Sequence, residues 1–186
     1  MANDISLPTD VSIITTYRCQ MRCKMCDIWK YPSDCKKEIS AKDLEILPKL
    51  KFANITGGEP FQRDDLEDIV EVSFKKAKRV VISTSGWHTE KILKLAERFP
   101  NIGIRVSMEG LAERNDYLRG RKGGFDKGLK LLLTLGEMGV KDIGFGITTS
   151  NKNSDDMLWL YKLSKLMKLE FSTATFHNSY YFHKED

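Results

Sequence analysis

The sequence predicts an α/β protein in which six parallel strands alternate with outer helices. Short segments rich in valine, isoleucine and threonine recur six times, at intervals of roughly thirty residues, as βαβ units do. Segments with the apolar spacing of helices lie between them, and this alternation gives a parallel sheet with right-handed crossovers. Six units are fewer than the eight that close a TIM barrel. We therefore expect an open partial TIM barrel of the (β/α)6 type, with its helices outside.

The predicted strands take up residues 11–17, 52–56, 79–84, 102–107, 142–149 and 169–175. Helices are predicted between them from apolar spacing and capping residues. The first begins near Ser40, which forms a capping pair with Asp43, and Pro48 ends or kinks it. The others are capped by Asp64 or Asp65 and by Thr89, cover 125–138 after a long loop, and run from a cap at Ser154 to about Lys168.

The length of 186 residues predicts one domain with a sizeable core. We expect a tail over residues 1–10, a core domain over 11–175, and a tail over 176–186 that continues into a missing region. No apolar run approaches the roughly 18 residues of a membrane span, so no membrane partner is expected. The net charge of +4 is mild and spread out, so nucleic acid is not indicated. Free cysteines and an N-terminus unlike a signal peptide indicate a cytoplasmic protein.

Three cysteines, Cys19, Cys23 and Cys26, follow the first strand with the spacing C-x3-C-x2-C. The gaps are too short for strands to pass between them, so the thiols converge only if the chain loops around one centre. Three thiolates on a [4Fe–4S] cluster leave one iron without a protein ligand, and that iron is free to bind another molecule. A zinc site with Cys35 as the fourth ligand remains an alternative, although Cys35 stands alone downstream.

Other unusual residue clusters also follow predicted strands, at the strand ends where α/β barrels form active sites. Gly57, Gly58, Glu59 and Pro60 follow the second strand. The two glycines permit close approach to a ligand, and Glu59 is able to accept a hydrogen bond from an amine, although a tight turn alone would also explain the glycines. The clusters after the later strands are Ser83 to Gly86, Ser107 to Gly110, Thr148 to Asn151, and His177 with Asn178.

The cysteine spacing followed by Gly-Gly-Glu-Pro resembles the radical SAM superfamily, and the resemblance runs from about residue 11 to 175. It implies that Cys19, Cys23 and Cys26 hold a [4Fe–4S] cluster whose open iron binds S-adenosylmethionine. It also implies that residues 57–60 contact the amino group of this cofactor. Met25 stands where the superfamily often has an aromatic residue, a departure that leaves the ligands untouched.

The resemblance implies further cofactor contacts. Ser83 and Ser85 lie in a turn similar to the family's Thr-Asn-Gly, where a hydroxyl is suited to the amino-acid part of the cofactor. Ser107 and Glu109 match a Ser-Leu-Asp-Gly segment, with Glu109 placed for the ribose hydroxyls. Arg119 matches an arginine that reaches the cofactor carboxylate; its alternative is a surface charge in a loop.

The resemblance also implies the reaction. An electron from a flavodoxin- or ferredoxin-like donor cleaves S-adenosylmethionine to methionine and a 5′-deoxyadenosyl radical, which takes a hydrogen atom from an unknown substrate. His177, Tyr180 and Tyr181 are candidate substrate contacts, although aromatic packing at the end of the chain explains them better. A non-catalytic binding module, stabilised by zinc or a cluster on an α/β scaffold, is the rival hypothesis. A phosphate-binding TIM-barrel enzyme would leave the cysteine spacing unexplained.

Overall fold

The computed structural model describes residues 6–176 and contains one sheet of six parallel strands. The strands are paired in chain order, so each new strand adds to the edge left by the previous one. The sheet is curled into a half-barrel with helices around it, which confirms the predicted fold class. The strands are β1 (Asp10–Ile14), β2 (Leu50–Thr56), β3 (Ala77–Thr84), β4 (Gly103–Ser107), β5 (Ile143–Thr149) and β6 (Glu170–Thr175).

Helices connect the strands and bury their apolar faces against the sheet. Ile55, Ile82 and Phe145 of the strands are fully buried, in one cluster with apolar side chains of the helices such as Ile69 and Leu135. This burial is the main stabilising term, at about 25 cal/mol per Å² of apolar surface. The α-helices are α1 (Leu66–Lys76), α2 (Thr89–Arg98), α3 (Ala112–Arg119), α4 (Gly124–Glu137) and α5 (Ser154–Leu166).

The helix predicted from Ser40 is wrong in type and length. The segment forms a short 3-10 helix over Lys42–Ile46, and Leu50 already begins β2. Leu47 is extended, with φ −63° and ψ 139°, because a residue before proline is disfavoured in the helical region. The capping pair is present, since Oδ2 of Asp43 accepts hydrogen bonds from the backbone N (2.8 Å) and Oγ (2.7 Å) of Ser40.

Helix α3 lies where the sequence predicted a loop. Its inward side buries only Asn115 and Leu118, so it lacks the apolar stripe that marks a helix in a sequence. Gly120 ends α3 in the left-handed region, with φ 66°. Asp65 occupies the N-cap position of α1 as predicted, but two other predicted caps are displaced. Thr89 and Ser154 are first helical residues rather than caps.

The two edge strands differ from the inner ones. β1 ends at Ile14 rather than at Tyr17, because residues 15–18 leave the sheet to contact the loop after β2. In β6 only Phe171 is partly buried and the other residues are exposed. His177, Tyr180 and Tyr181 lie outside the described residues. In residues 6–176, none of the helices combines the length and apolar character that crossing a membrane requires.

Candidate active site

A cavity of about 590 Å³ lies at the carboxyl ends of the strands. Residues from all six strands or the loops after them contribute to its wall, so the predicted convergence of these loops is present. The predicted site residues that line it are Cys19, Cys23, Cys26, Gly57, Gly58, Ser83, Ser85, Ser107, Glu109 and Arg119. Glu59 and Pro60 do not line the cavity and are buried beside it.

Backbone contacts hold the cysteine loop against the Gly-Gly turn. The amide of Gly58 donates to the carbonyl of Thr16 at 2.6 Å, and the amide of Glu59 donates to the carbonyl of Arg18 at 2.9 Å. A Cβ on Gly58 would lie 2.4 Å from the Arg18 carbonyl oxygen. Gly57 has φ 151°, and a Cβ there would lie 2.5 Å from the Thr16 carbonyl oxygen. Both glycines are therefore required by the close approach of two backbones.

The far end of the cysteine loop is bonded to the end of α3. The amide of Lys24 donates to the carbonyl of Leu118 at 2.8 Å, and the amide of Arg22 donates to the carbonyl of Arg119 at 3.4 Å. Helix α3, which was not predicted from the sequence, is therefore part of the site. It carries Arg119 to the cavity and supports the loop on which Cys23 lies.

The three thiols are partly buried and face the cavity. Burial raises the pKa of Cys19 to about 12 and that of Cys26 to about 11, and it also raises the pKa of Cys23. The positive charge of Arg119 lowers each of these pKa values but does not outweigh burial. A metal ligand must be a thiolate, so these thiols ionise only when a bound cation compensates for their burial.

Glu109 and Arg119 form the charged pair of the cavity. Nη1 of Arg119 lies 3.4 Å from Oε1 of Glu109, and Oε2 of Glu109 accepts a hydrogen bond from the amide of Thr148 at 2.8 Å. Burial raises the pKa of Glu109, and the Arg119 charge offsets part of this rise. Burial lowers the pKa of Arg119, but nearby acidic groups, Cys23 and Glu109 first, outweigh it and leave that pKa raised. The pair offers a cation and a carboxylate to one ligand.

The carboxylate of Glu59 is turned away from the cavity and ties two loops together. The side chain is 0% exposed. Oε1 accepts from Oγ1 of Thr84 at 2.7 Å, and Oε2 accepts from the amide of Ser85 at 2.8 Å and from the Ser85 hydroxyl. The side chain of Gln20 in turn donates to Oγ of Ser85 at 3.0 Å. In this arrangement the carboxylate positions the turn after β3, and the backbone of Gly57 and Gly58 faces the cavity.

Several polar residues of the cavity were not predicted from the sequence. Ser12, Asn54 and Ser172 lie within strands and face the cavity, where Oδ1 of Asn54 accepts from Oγ of Ser83 at 2.9 Å. Their signal is a polar residue inside an otherwise apolar strand. The predicted rim residue Thr148 lines the cavity, whereas Ser150 does not and is bonded to Asn153 instead.

Glu38 was also missed, because it is distant in sequence from every residue that it contacts closely except Ser33. Its side chain is 2% exposed. It accepts hydrogen bonds from Oγ1 of Thr16 (2.5 Å), Oγ of Ser33 (2.5 Å), Nε and Nη2 of Arg18 (3.0 and 2.9 Å) and Nη1 of Arg63 (3.1 Å). Glu38 therefore anchors the first part of the cysteine loop to the segment after β2.

The cavity has features that fit a bound iron–sulfur cluster and an organic ligand. Within residues 6–176, no three cysteine, histidine or carboxylate side chains converge closely enough to hold a single metal ion. A [4Fe–4S] cluster binds each thiolate through a separate iron, so thiols spaced around one cavity fit it. Cys35 is exposed and does not line the cavity. Trp29 lines the cavity, and its indole nitrogen is the one buried side-chain nitrogen without a hydrogen-bond partner among the described residues. Because buried donors normally have an acceptor, this N–H fits a bound organic ligand.

Comparisons with known proteins agree on one family. A family model described as the radical SAM superfamily matches residues 13–163. Fe-coproporphyrin III synthase of Methanosarcina barkeri is 30% identical over 166 residues, which is 83% of this chain and 40% of that protein. Pre-heme d1 synthase of Dinoroseobacter shibae is 29% identical over 157 residues, covering 80% of this chain and 38% of that protein.

Solved structures show the same fold. SuiB of Streptococcus suis bound to S-adenosylmethionine matches with a TM-score of 0.77 at 19% identity, over 97% of this chain and 44% of that one. This chain therefore spans less than half the length of SuiB, as it does of the two curated relatives.

Proposed function

The chain belongs to the radical SAM superfamily, and from this premise we propose that it is the core of an enzyme that reductively cleaves S-adenosylmethionine. The superfamily uses a [4Fe–4S] cluster and S-adenosylmethionine. One observation carries the proposal: three cysteine thiols, the Gly57–Gly58 backbone and the Glu109–Arg119 pair line a single cavity. A module with only a structural metal would not need a charged pair beside it.

Each part of the cavity has a role in this proposal. Cys19, Cys23 and Cys26 hold the cluster. When bound, the cluster supplies the electron that breaks a carbon–sulfur bond of S-adenosylmethionine, giving methionine and a 5′-deoxyadenosyl radical for hydrogen abstraction. The Arg119 guanidinium is suited to the cofactor carboxylate, because it offers several N–H donors in a fixed plane.

The remaining predicted residues bind the rest of the cofactor or support the residues that do. Polar backbone groups at Gly57 and Gly58 are available to its amino group, since no side chain covers them. Glu109 is able to accept hydrogen bonds from ribose hydroxyls, as acidic residues do in dinucleotide sites. Ser83 and Ser107 complete the polar wall, and Glu59, Pro60 and Ser85 keep the turn and its neighbour in place.

The proposal stops at the step that the superfamily shares, because the two curated relatives are named for different products. A flavodoxin- or ferredoxin-like protein supplies the electron, and an unknown substrate supplies the hydrogen atom. We place the protein in the cytoplasm, where thiols remain reduced and free for a cluster.

Anaerobic reconstitution tests the proposal. The protein is incubated with iron and sulfide, then with S-adenosylmethionine and dithionite, and 5′-deoxyadenosine is quantified by chromatography. We expect a brown protein that forms 5′-deoxyadenosine, with both properties lost in Cys23→Ala. Cys35→Ala is the matched control, because Cys35 is exposed and outside the cavity, and it should behave as the unsubstituted protein does.

Two other results would reject the proposal. A colourless protein that carries zinc and loses it in Cys23→Ala would identify a structural zinc site. A brown protein that binds S-adenosylmethionine without cleaving it would identify the non-catalytic binding module.

A further inference from the structure

We group six cationic residues near the cysteine loop as the basic face: Arg22, Lys91, Arg121, Lys122, Lys127 and Lys130. Lys91, Lys127 and Lys130 border one hollow beside Trp87. Arg121 lies on Trp87, with Lys122 next to it in the sequence, and both Arg22 and Arg121 bond to the cysteine loop. Lys91 pairs with Asp64 at 3.3 Å, and the other five form no ion pair with any residue in the range 6–176. Outside the face, every arginine of residues 6–176 is ion-paired, for example Arg98 with both Glu67 and Glu71, whereas most of the lysines are not. Three exposed carboxylates lie beside these cations: Asp64, which pairs with Lys91, Glu90 at the same hollow, and Asp126 next to Lys127 in the sequence. Six cations against three carboxylates leave the face positive.

The basic face has an aromatic centre at Trp87. Cζ of Arg121 lies 3.7 Å from the centre of the Trp87 ring, and Nζ of Lys127 lies 5.1 Å from it. Trp87, Lys91, Lys127 and Lys130 border one open surface hollow. An aromatic ring with an arginine stacked on it is a typical centre for a protein–protein contact, since both residue types are enriched there.

The basic face covers the outer side of the cysteine loop. Nη1 of Arg121 donates to the carbonyl of Gln20 at 3.4 Å, and Nη1 of Arg22 donates to the carbonyls of Cys19 and Met21 at 3.2 and 2.8 Å. The side chain of Cys19 lines the cavity, whereas Arg22 is exposed and does not. A protein bound to the face would therefore be separated from the cavity by little more than one loop.

We propose that the basic face docks an acidic one-electron carrier protein, with a flavodoxin as its type. This inference rests on the proposed function, which requires a reductant. Opposite charges increase the rate of encounter and select the partner, and the position of the face brings the carrier beside the cysteine loop. In the transfer, the reduced carrier loses one electron and the cluster held by the cysteines gains it; no bond is made or broken.

Two triple variants test the docking. Lys122→Glu/Lys127→Glu/Lys130→Glu reverses charge on the basic face. Lys51→Glu/Lys78→Glu/Lys141→Glu is the matched control, because these exposed lysines lie at the opposite ends of the strands. With reduced flavodoxin at low salt, 5′-deoxyadenosine formation should fall at least about tenfold in the first variant only. With dithionite, which needs no docking surface, both variants should match the unsubstituted protein.

Binding supplies a readout that does not need the cluster. Oxidised flavodoxin titrated into the cluster-free protein by calorimetry should bind, and binding should weaken when salt is raised from about 0.01 M to about 1 M, since the screening length falls from about 30 to about 3 Å. The face variant should bind more weakly than the control variant. This measurement remains informative even if the unsubstituted protein fails to cleave S-adenosylmethionine with dithionite, a result that rejects the proposed function alone.

Three outcomes would overturn the docking proposal. One is an equal loss of flavodoxin-dependent activity in the two triple variants. Another is an equal loss with dithionite and flavodoxin in the face variant, which would give these lysines a role in the fold. The third is tighter binding of a single-stranded oligonucleotide than of flavodoxin, lost only in the face variant, which would make the face a nucleic-acid site.

Discussion

Gly58→Ala should damage the site by separating two backbones. The added Cβ would lie 2.4 Å from the carbonyl oxygen of Arg18 and 2.9 Å from the carbonyl carbons of Arg18 and Tyr17. Ordinary contacts of a Cβ begin at 3.4 Å, so the two loops must move apart by about 1 Å, the difference between 3.4 and 2.4 Å. None of these neighbours is a flexible side chain that could move aside instead.

This movement would break the hydrogen bonds that hold the loops together. The amide of Gly58 lies 2.6 Å from the Thr16 carbonyl oxygen, and that of Glu59 lies 2.9 Å from the Arg18 carbonyl oxygen. Each bond contributes about 1 kcal/mol, and overpacking costs about 1–3 kcal/mol. We expect a loss of roughly 3–5 kcal/mol in the free energy of unfolding, or about 6–20 °C in Tm for a chain of this size. The measurement is thermal unfolding of the cluster-free protein by circular dichroism.

Gly136→Ala is the matched control, because it makes the same chemical change in helix α4. A Cβ there meets only Cδ1 of Ile143, at 3.7 Å, and replacing a helical glycine by alanine stabilises by about 0.5–1 kcal/mol. The iron content after reconstitution should therefore fall in Gly58→Ala and stay unchanged in Gly136→Ala. Equal Tm values for Gly58→Ala and the unsubstituted protein would refute the argument from backbone contact, as would equal damage by both substitutions.

Two further substitutions probe buried polar side chains. Burial would raise the pKa of Glu38, but hydrogen bonds from arginine and hydroxyl groups outweigh it and lower that pKa to about 2. Its stabilising effect is complete above pH about 4.5 and is lost as the pH falls towards about 2, a change of roughly 3 kcal/mol. Urea unfolding across this range should show a smaller pH dependence in Glu38→Gln; an unchanged dependence would contradict the assignment. Asn153 is 0% exposed and donates to the carbonyls of Glu109 (3.0 Å) and Thr148 (2.9 Å). Asn153→Ala should therefore lower the free energy of unfolding in urea by about 2–3 kcal/mol, whereas exposed Asn151→Ala should lower it by less than about 0.5 kcal/mol. Equal losses in the two variants would reject this role.

The sequence predicted the strands and the contents of the rim because both depend on local patterns. A buried strand is a short run of β-branched residues, and the residues after it must lie at the carboxyl edge of a parallel sheet. Cys19, Cys23 and Cys26 are close in sequence, so their convergence also needed no long-range information. The placement of Glu109 at the cavity followed from the same logic, because it comes just after the fourth strand. Arg119 was placed there by the family resemblance alone.

What the sequence did not reveal depends on contacts between distant segments. Helix α3 has no apolar stripe, since it packs through Asn115 and Leu118 alone, so its helical state is set by the surrounding structure. The 3-10 segment at Lys42–Ile46 had the leucine spacing of a helix, but Pro48 and the start of β2 limited its length. Glu38 had no motif at all, because its arginine partners come from two other loops.

Three buried carboxylates explain how the rim keeps its shape. Glu38 joins the cysteine loop to the segment after β2, Glu59 joins the turn after β2 to the turn after β3, and Glu109 joins the end of β4 to β5. A buried carboxylate is costly unless its oxygens are bonded, and each of these has donors from a neighbouring loop. Moving one loop would therefore leave a charge unpaired.

The pKa values of two of these carboxylates indicate how differently they are held. Hydrogen bonds from Arg18, Ser33 and Thr16 outweigh burial and lower the pKa of Glu38 to about 2. Glu109 has one distant guanidinium at 3.4 Å, and burial raises its pKa. Glu38 is thus saturated with donors and serves the fold. Glu109 keeps acceptor capacity towards the cavity, which is what a residue needs if it is to bind ribose hydroxyls in addition to holding its neighbouring strand.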